Sequence, residues 1–209
     1  MALTGLFLAF FLIIHLAGNL QLLLPEEVAH TQFNTYSHVL SGNIIIKLVS
    51  YILYLSILYH IVDAIMISLA NRKANDKSYN KDNRGEVSNW ISRNMGILGI
   101  IILIFLVIHF KDYWYIYKFG APPIDAEGNK DLFIIVMNSF TQLWYVIVYV
   151  IAILALGFHL IHGINSAFRT LGFYHEKYVK VIKYAGHIFA TLITIGFAVI
   201  PIIIYIKQL

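Results

Sequence analysis

The strongest constraint on the fold is a series of five apolar runs separated by polar breaks. Crossing a bilayer takes about 20 apolar helical residues, because each residue adds about 1.5 Å. Each run is long enough, and 12% of the chain is charged, against roughly 25% in soluble domains. We predict an all-α, five-helix membrane bundle that forms one domain over residues 1–209, with spans at about 3–24, 43–70, 91–118, 138–168 and 181–206.

Basic residues predict the orientation of this bundle, because cytoplasmic loops are enriched in lysine and arginine. Ten lie on one side: Arg72, Lys73, Lys77, Lys81, Arg84, Arg93, Arg169, Lys177, Lys180 and Lys183. Five lie on the other: Lys47, Lys111, Lys118, Lys130 and Lys207. Aromatic belts agree, with Trp90 inside and Tyr113, Trp114, Tyr115, Trp144 and Tyr145 outside. We therefore expect a multi-pass protein of the inner (cytoplasmic) membrane, with its N-terminus cytoplasmic and its C-terminus outside.

The first apolar run is predicted to be a true span and not a cleaved leader. It lacks a basic n-region and an Ala-x-Ala type exit. It also carries His15, Asn19 and Gln21, for which a leader has no use. Because the sequence starts almost at this span, without a basic lead-in, we expect a short juxtamembrane segment ahead of it.

Histidines inside the spans are the main functional signal. Of nine histidines, six fall in spans: His15, His60, His109, His159, His162 and His187. Ionisable residues in spans are costly and usually mark function, although a single one is as often a hydrogen-bonded packing residue. Four successive spans that each carry a deep histidine favour function. The chain has no cysteine, which excludes disulfides and thiolate-ligated zinc or iron–sulfur sites of its own.

An internal repeat pairs these histidines. The sequence Phe-Leu-Ile-Ile-His that ends at His15 matches Phe-Leu-Val-Ile-His that ends at His109, and the segment 59–65 resembles 158–164. His15 and His109 then lie about 18 and 27 Å from the inner end of their spans, and His60 and His159 about 26 and 32 Å from the outer end of theirs. We predict two histidine pairs stacked across the membrane.

Two facing imidazoles in a dry helix bundle suit a bis-histidine haem, whose closed coordination favours electron transfer. We therefore expect two b haems. His162 is an alternative ligand to His159, but the repeat places Asp63 at the position equivalent to His162 and so favours His159. Small residues near the ligands would leave room for a macrocycle or, alternatively, allow close helix packing: Gly18, Ala64 and Gly163.

Haem propionates require cationic or amide partners near the membrane surfaces. The candidates are Arg93 and Arg169 on the inner side, and Asn19, Gln21, Lys47 and Lys111 on the outer side. The alternative is simple anchoring at the membrane interface, which for the lysines is the stronger interpretation.

Several segments of the chain resemble a known family. They are residues 14–19, residues 33–38, Tyr59-His60, the His109 segment, and Phe158-His159 followed by Gly163 and Gly172. In order and spacing, over nearly the whole chain, they resemble the dihaem cytochrome b membrane anchor of five-helix succinate dehydrogenases and fumarate reductases. The resemblance implies that His60 and His159 hold an inner, high-potential haem and that His15 and His109 hold an outer one. His162 departs from the family pattern.

The resemblance also implies partners. A flavoprotein and an iron–sulfur subunit would dock on the cytoplasmic face and act on succinate or fumarate, which this chain would not do itself. The expected electron partner in the membrane is a quinone, usually menaquinone, near the outer haem. Candidate quinone residues lie in the first outer loop: Glu26, Asn34, Tyr36 and His38. The alternative for this segment is an ordinary capped loop.

Two other functions remain open from the sequence. One is the cytochrome b subunit of a membrane hydrogenase or formate dehydrogenase, which the arrangement of one ligand in each of four helices fits less well. The other is a non-redox, proton-coupled transporter that uses intramembrane histidines. Transporters often have helices broken at mid-span, whereas here only Pro201 lies in a span.

Overall fold

A computed structural model describes residues 1–74, 90–173 and 175–209. Lys77, Lys81 and Arg84, which contribute to the predicted orientation, lie outside these residues. The described chain is helical and contains no strand. Its helices are α1 Ala2–Asn19, α2 Glu26–Gly42, α3 Ile44–Ala74, α4 Trp90–Arg93, α5 Met95–His109, α6 Ile116–Phe119, α7 Leu132–Ser139, α8 Leu143–Thr170 and α9 Glu176–Lys207.

Five helical stretches are long and apolar enough to cross a membrane, which confirms the predicted all-α, five-span architecture. They are Ala2–Leu23, Ile44–Lys73, Met95–Phe119, Leu143–Thr170 and Glu176–Lys207. Many large apolar side chains on them are exposed, for example Ile44 at 76% and Leu55 at 66%. A soluble protein rarely exposes apolar surface on this scale, so these side chains are suited to contact lipid.

Two of the long helices start five residues away from the approximate starts predicted for their spans. Span four starts at Leu143 and not at residue 138, because Asn138 belongs to the separate helix α7 and a turn at residues 140–142 divides the two helices. Span five starts at Glu176, five residues early, because the His175 ring accepts a hydrogen bond from the Lys177 backbone and caps the helix. Hydropathy cannot detect either the turn or the cap, since the apolar signal is averaged over the whole run.

Helix α8 is the centre of the bundle and packs on α1, α5 and α9. Within its most apolar window 44% of residues are buried, against 6% for α3. Small residues allow the close approach of neighbouring helices. A Cβ at Gly157 would overlap the Thr194 side chain of α9, and one at Gly196 of α9 would lie 2.6 Å from Leu16 on α1.

The segment expected to form an outer loop is instead the helix α2. It starts after Pro25 with two glutamates in its first turn, where negative charge favours the helix dipole. A buried polar cluster fastens it to the start of α7. In that cluster Asn34 is fully buried and its amide donates to Asp125 and Asp131, while its carbonyl oxygen accepts from the Phe133 backbone.

Helix α5 continues into α6 through a π-helical turn, Phe110–Tyr115. Such turns are rare and are common at functional sites. This one begins directly after His109 and contains Asp112 and Tyr113. It therefore determines where these two side chains point relative to the histidine.

Candidate functional site

The structure brings together the same two histidine pairs that the internal repeat predicts. The rings of His15 on α1 and His109 on α5 have centroids 5.7 Å apart, with an angle of 87° between their planes. The rings of His60 on α3 and His159 on α8 have centroids 6.3 Å apart, with an angle of 63°. Each pair thus joins two different spans, and the ring that faces His60 is that of His159.

The two pairs lie at different depths in the bundle. Tyr149 on α8 is next to His109, and His159 is ten residues further along the same helix. At about 1.5 Å per residue the pairs are separated by about 15 Å. On α1, Thr4 contacts His60. Thr4 and His15 are 11 residues apart on this helix, which gives a similar separation between the two pairs.

The helices that carry each pair are not packed closely against each other. Helix α3 packs on α1 and α2, and α5 packs on α8. Neither α3 and α8 nor α1 and α5 share an extensive backbone interface among the described residues. The histidine side chains therefore reach across spaces that backbone packing leaves open.

Two of the histidines are held through Nδ1. Thr4 Oγ1 lies 3.2 Å from Nδ1 of His60 and donates its own proton to the Met1 carbonyl oxygen, so the His60 N–H donates to it. The Tyr149 hydroxyl lies 3.3 Å from Nδ1 of His109. A hydrogen bond at one ring nitrogen fixes the tautomer and leaves the other, Nε2, free to bind a metal.

The remaining two histidines have different surroundings. Nδ1 of His159 is buried and has no hydrogen-bond partner among the described residues. A buried nitrogen left unpaired costs about 1–3 kcal/mol. The ring of His15 stacks on Phe11 at 5.2 Å and packs against Phe197 at 5.7 Å. His15 is thus held by packing, and His159 retains a buried nitrogen that a ligand could use.

These residues fit a haem in two respects. A metal–imidazole bond of about 2.0 Å, with the ring centroid about 1 Å beyond the nitrogen, puts the centroids of a bis-histidine site about 6 Å apart. Both observed separations are close to this value. No group of three or more metal-ligating side chains occurs within the part of the chain that the structure describes. Two imidazoles fall short of a structural zinc site, whereas a porphyrin brings its own equatorial nitrogens.

The space expected beside the ligands is present at one glycine and filled at another. A Cβ at Gly163 would meet nothing within 4 Å. At Gly18 it would lie 2.7 Å from the Tyr36 ring of α2. At Gly18 the contact supports the alternative of close helix packing, because the Tyr36 ring of α2 occupies the space beside it.

The candidate propionate partners are spread over the two ends of the bundle. Arg93, Arg169 and Lys47 have exposed side chains. Lys111 is also exposed and pairs with Asp112 at 3.4 Å. The other two candidates are half-buried, Asn19 and Gln21, and the Asn19 amide donates to the His15 carbonyl oxygen.

The candidate quinone residues all lie on α2, but they differ in whether their polar groups are available to a ligand. Glu26 and His38 are exposed, and Tyr36 is half-buried against Gly18. Asn34 has both amide protons and its carbonyl oxygen engaged in the buried cluster. It therefore stabilises the fold and has no free donor to offer a ligand.

Electrostatics support the structural role of this cluster. Burial on its own would raise the pKa of Asp131, but hydrogen bonds from Asn34, the Ile134 backbone and His30 more than offset it, so the pKa is lowered. The His30 ring nitrogen lies 2.8 Å from the Asp131 carboxylate. The cluster thus holds a buried carboxylate in its charged form between α2 and α7.

Sequence reasoning missed one group of polar residues beside the His15–His109 pair. The Tyr145 hydroxyl donates to Asp112 at 2.8 Å and lies 3.3 Å from the Tyr149 hydroxyl, which in turn lies 3.3 Å from Nδ1 of His109. Tyr145 was expected only as part of an outer aromatic belt, yet it is buried. The spacing of Tyr145 and Tyr149, four residues apart on one helix, was the available signal.

His187 is the one histidine of the last predicted span, and it belongs to neither pair. His187 is exposed, and its Nδ1 lies 2.7 Å from the Lys183 carbonyl oxygen of its own helix.

Comparisons with models of known protein families, with curated proteins and with solved structures give no match.

Proposed function

We propose that this chain is a dihaem cytochrome b that anchors a succinate dehydrogenase or fumarate reductase and passes electrons between its iron–sulfur subunit and a quinone. His60 and His159 would hold the inner haem b, and His15 and His109 the outer one. Bound haem would supply one-electron redox chemistry. The chain itself would supply binding, orientation and a dry surrounding.

The observation that carries this proposal is the geometry of the two histidine pairs. Each pair joins two helices that share no extensive backbone interface, at a separation close to that of a bis-histidine site. Histidines that served only packing would have no reason to recur in pairs at two depths with such similar separations. The hydrogen bonds at Nδ1 of His60 and His109 add support, because they leave the metal-binding nitrogen free.

The protein partners would dock at the end of the bundle that carries the His60–His159 pair. Helix α3 ends there with Arg72 and Lys73, and α8 ends with Arg169 in its last turn. An excess of basic residues is typical of a cytoplasmic surface. Electrons would then enter or leave through the pair nearest the flavoprotein and iron–sulfur subunits.

The quinone, in the family usually menaquinone, would react at the opposite end, where Tyr36 of α2 packs against Gly18, three residues after His15. Glu26, Tyr36 and His38 are candidate residues there, each with a group able to exchange protons. Replacing His38 with alanine should slow quinone turnover and leave both haems bound, whereas Val39→Ala, at the next exposed position, should change neither. Loss of a haem in the His38 variant would contradict this assignment.

Spectroscopy of the purified chain and its complex tests the proposal. A reduced-minus-oxidised spectrum with haem quantitation should show two low-spin b haems per chain. Alanine at His60 or His159 should remove one haem, and alanine at His15 or His109 the other.

Two histidines serve as controls in the same experiment. His187→Ala should retain both haems, since this side chain is exposed and bonded to its own helix. His162→Ala should also retain both; loss of the inner haem there, with retention in His159→Ala, would reassign the ligand. A wild-type chain without haem would overturn the proposal and favour a proton-coupled transporter.

The subunits that co-purify with the chain distinguish the proposed function from the remaining alternative, a cytochrome b subunit of a membrane hydrogenase or formate dehydrogenase. A flavoprotein and an iron–sulfur protein are expected with this chain. If a hydrogenase or formate dehydrogenase catalytic subunit co-purified instead, this chain would still be a dihaem cytochrome b, but it would belong to that other enzyme.

A further inference from the structure

A groove with apolar walls lies between α8 and α9, at the end of the bundle that carries the His60–His159 pair. It has a volume of about 430 Å³ and is lined by Phe168, Phe173, Tyr178, Val181 and Ile182. Clefts that hold small organic ligands typically have volumes of about 300–1,000 Å³. Phe173, Tyr178 and Val181 are more than half exposed, at 59%, 54% and 65%. The described residues thus leave this apolar cleft open to its surroundings.

The end of α8 forms one wall of the groove. Gly172 has a φ of +86°, a backbone conformation that glycine adopts without steric cost, and the chain reverses there. The Phe173 N–H donates to the Phe168 carbonyl oxygen at 3.0 Å, and the Gly172 N–H donates to that of Arg169 at 3.1 Å, which is the bond pattern of a Schellman motif. The apolar contact that accompanies this motif joins the Phe168 and Phe173 rings, whose centroids are 6.1 Å apart. The cap therefore explains why Phe173 turns back onto α8, but it leaves this side chain exposed.

The first turns of α9 form the other wall. Tyr178, Val181 and Ile182 are three and four residues apart, so they share one face of the helix. Helix α9 begins at Glu176, and each residue advances about 1.5 Å, which places Val181 about 6 Å further along the span than Lys177. The groove thus has a polar edge at the end of the helix and an apolar part further along it.

The polar edge of the groove is positively charged. The Lys177 ammonium group lies 5.4 Å from the centroid of the Tyr178 ring, within the range of a cation–π contact, so it is held beside a lining residue. Among the described residues Lys177 forms no ion pair, although Glu176 is its neighbour. Arg169, which follows Phe168 in the last turn of α8, adds a second exposed cation. Cations beside exposed apolar side chains at the end of a span are complementary to a phosphate attached to acyl chains.

We propose that this groove binds one anionic glycerophospholipid of the bilayer, with an acyl chain against Phe173 and Val181 and its phosphate beside Lys177. The inference is independent of the haem proposal. Four of the five lining residues belong to stretches apolar enough to span a membrane, so the molecules that surround them are lipids. Basic pockets between spans bind anionic lipid headgroups, and tyrosines such as Tyr178 are enriched where headgroups meet acyl chains.

Native mass spectrometry of the purified chain in detergent tests the proposal, with phosphatidylglycerol and phosphatidylcholine of the same acyl chains as probes. The wild-type chain should retain one phosphatidylglycerol and bind it about fivefold more tightly than phosphatidylcholine, the factor typical of one basic residue beside an anionic lipid. Lys177→Gln should remove this preference and leave the affinity for phosphatidylcholine unchanged. Val181→Gln should weaken the binding of both lipids, because it puts an amide on the apolar wall at an exposed position.

Lys180→Gln is the matched control. It removes the same charge from an exposed position near the same end of α9, but it lies two residues after Tyr178 and therefore on the opposite side of the helix. It should change neither affinity. Equal affinities for the two lipids in the wild-type chain, or equal losses in Lys177→Gln and Lys180→Gln, would overturn the proposal, since general attraction to a basic surface would then explain the binding.

The same titration on the complex separates a lipid site from a subunit interface. Phosphatidylglycerol should be retained by the complex as it is by the chain. If the partner subunits excluded it, the groove would belong to their interface and the lipid proposal would fail. Lipid retention and haem content are separate readouts, so each of these failures would leave the dihaem proposal intact, and absence of haem would leave the lipid site intact.

Discussion

Replacing Asn34 with alanine tests the polar cluster that holds α2 to α7. The side chain is fully buried and makes three hydrogen bonds: to Asp125 at 3.1 Å, to Asp131 at 2.9 Å and from the Phe133 backbone at 2.9 Å. Alanine would leave the Phe133 N–H buried without a partner and deprive a buried carboxylate of a donor.

The expected loss follows from these contacts. A buried donor left unpaired costs about 1–3 kcal/mol, and a hydrogen bond to a charged group contributes about 1.5–3 kcal/mol. Asp125 is half-exposed, and water can replace part of its bond. The free energy of unfolding of the α2–α7 region should therefore fall by about 3–5 kcal/mol.

Hydrogen exchange of the purified protein in detergent measures this loss locally. Amides of α2 and α7 should exchange much faster in Asn34→Ala, while those of α8 should change little. Thr35→Ala, at an exposed position on the same helix, is the control and should cost no more than about 0.5 kcal/mol. A loss under about 1 kcal/mol in Asn34→Ala would refute the structural role and return Asn34 to the candidate quinone residues.

Two further perturbations test other contacts. Gly18→Ala should destabilise the protein by about 1–3 kcal/mol, because the new Cβ would lie 2.7 Å from the Tyr36 ring. Gly163→Ala is the control and should not destabilise it, since a Cβ there meets nothing within 4 Å. Equal melting temperatures for the two variants would contradict this prediction. Asp131 has a pKa below its ordinary value of 3.8, so its stabilising contribution is present above that value and is lost as the pH falls towards the folded pKa. Thermal unfolding between about pH 3 and 6 should show an acid-side loss of at most about 1.4 kcal/mol per pH unit, and Asp131→Asn should reduce that slope.

The five spans could be predicted from the sequence because helix formation in lipid is a local requirement. Backbone groups in hydrocarbon must bond within their own segment, so an apolar run of sufficient length specifies a helix without knowledge of its neighbours. The partners of the histidines could also be predicted, since the repeat places His15 in register with His109 and His60 with His159.

Other features depended on contacts between distant residues, and only the tertiary structure decided them. Asn34 and Asp131 are 97 positions apart in the chain, and their bond makes α2 a fixed helix where a loop was expected. The hydrogen bond from Tyr145 to Asp112 depends on a π-helical turn that has no clear hydropathy signal. Hydropathy records how each residue partitions between lipid and water, whereas buried polar networks depend on which helices meet, and that is a property of the packed bundle.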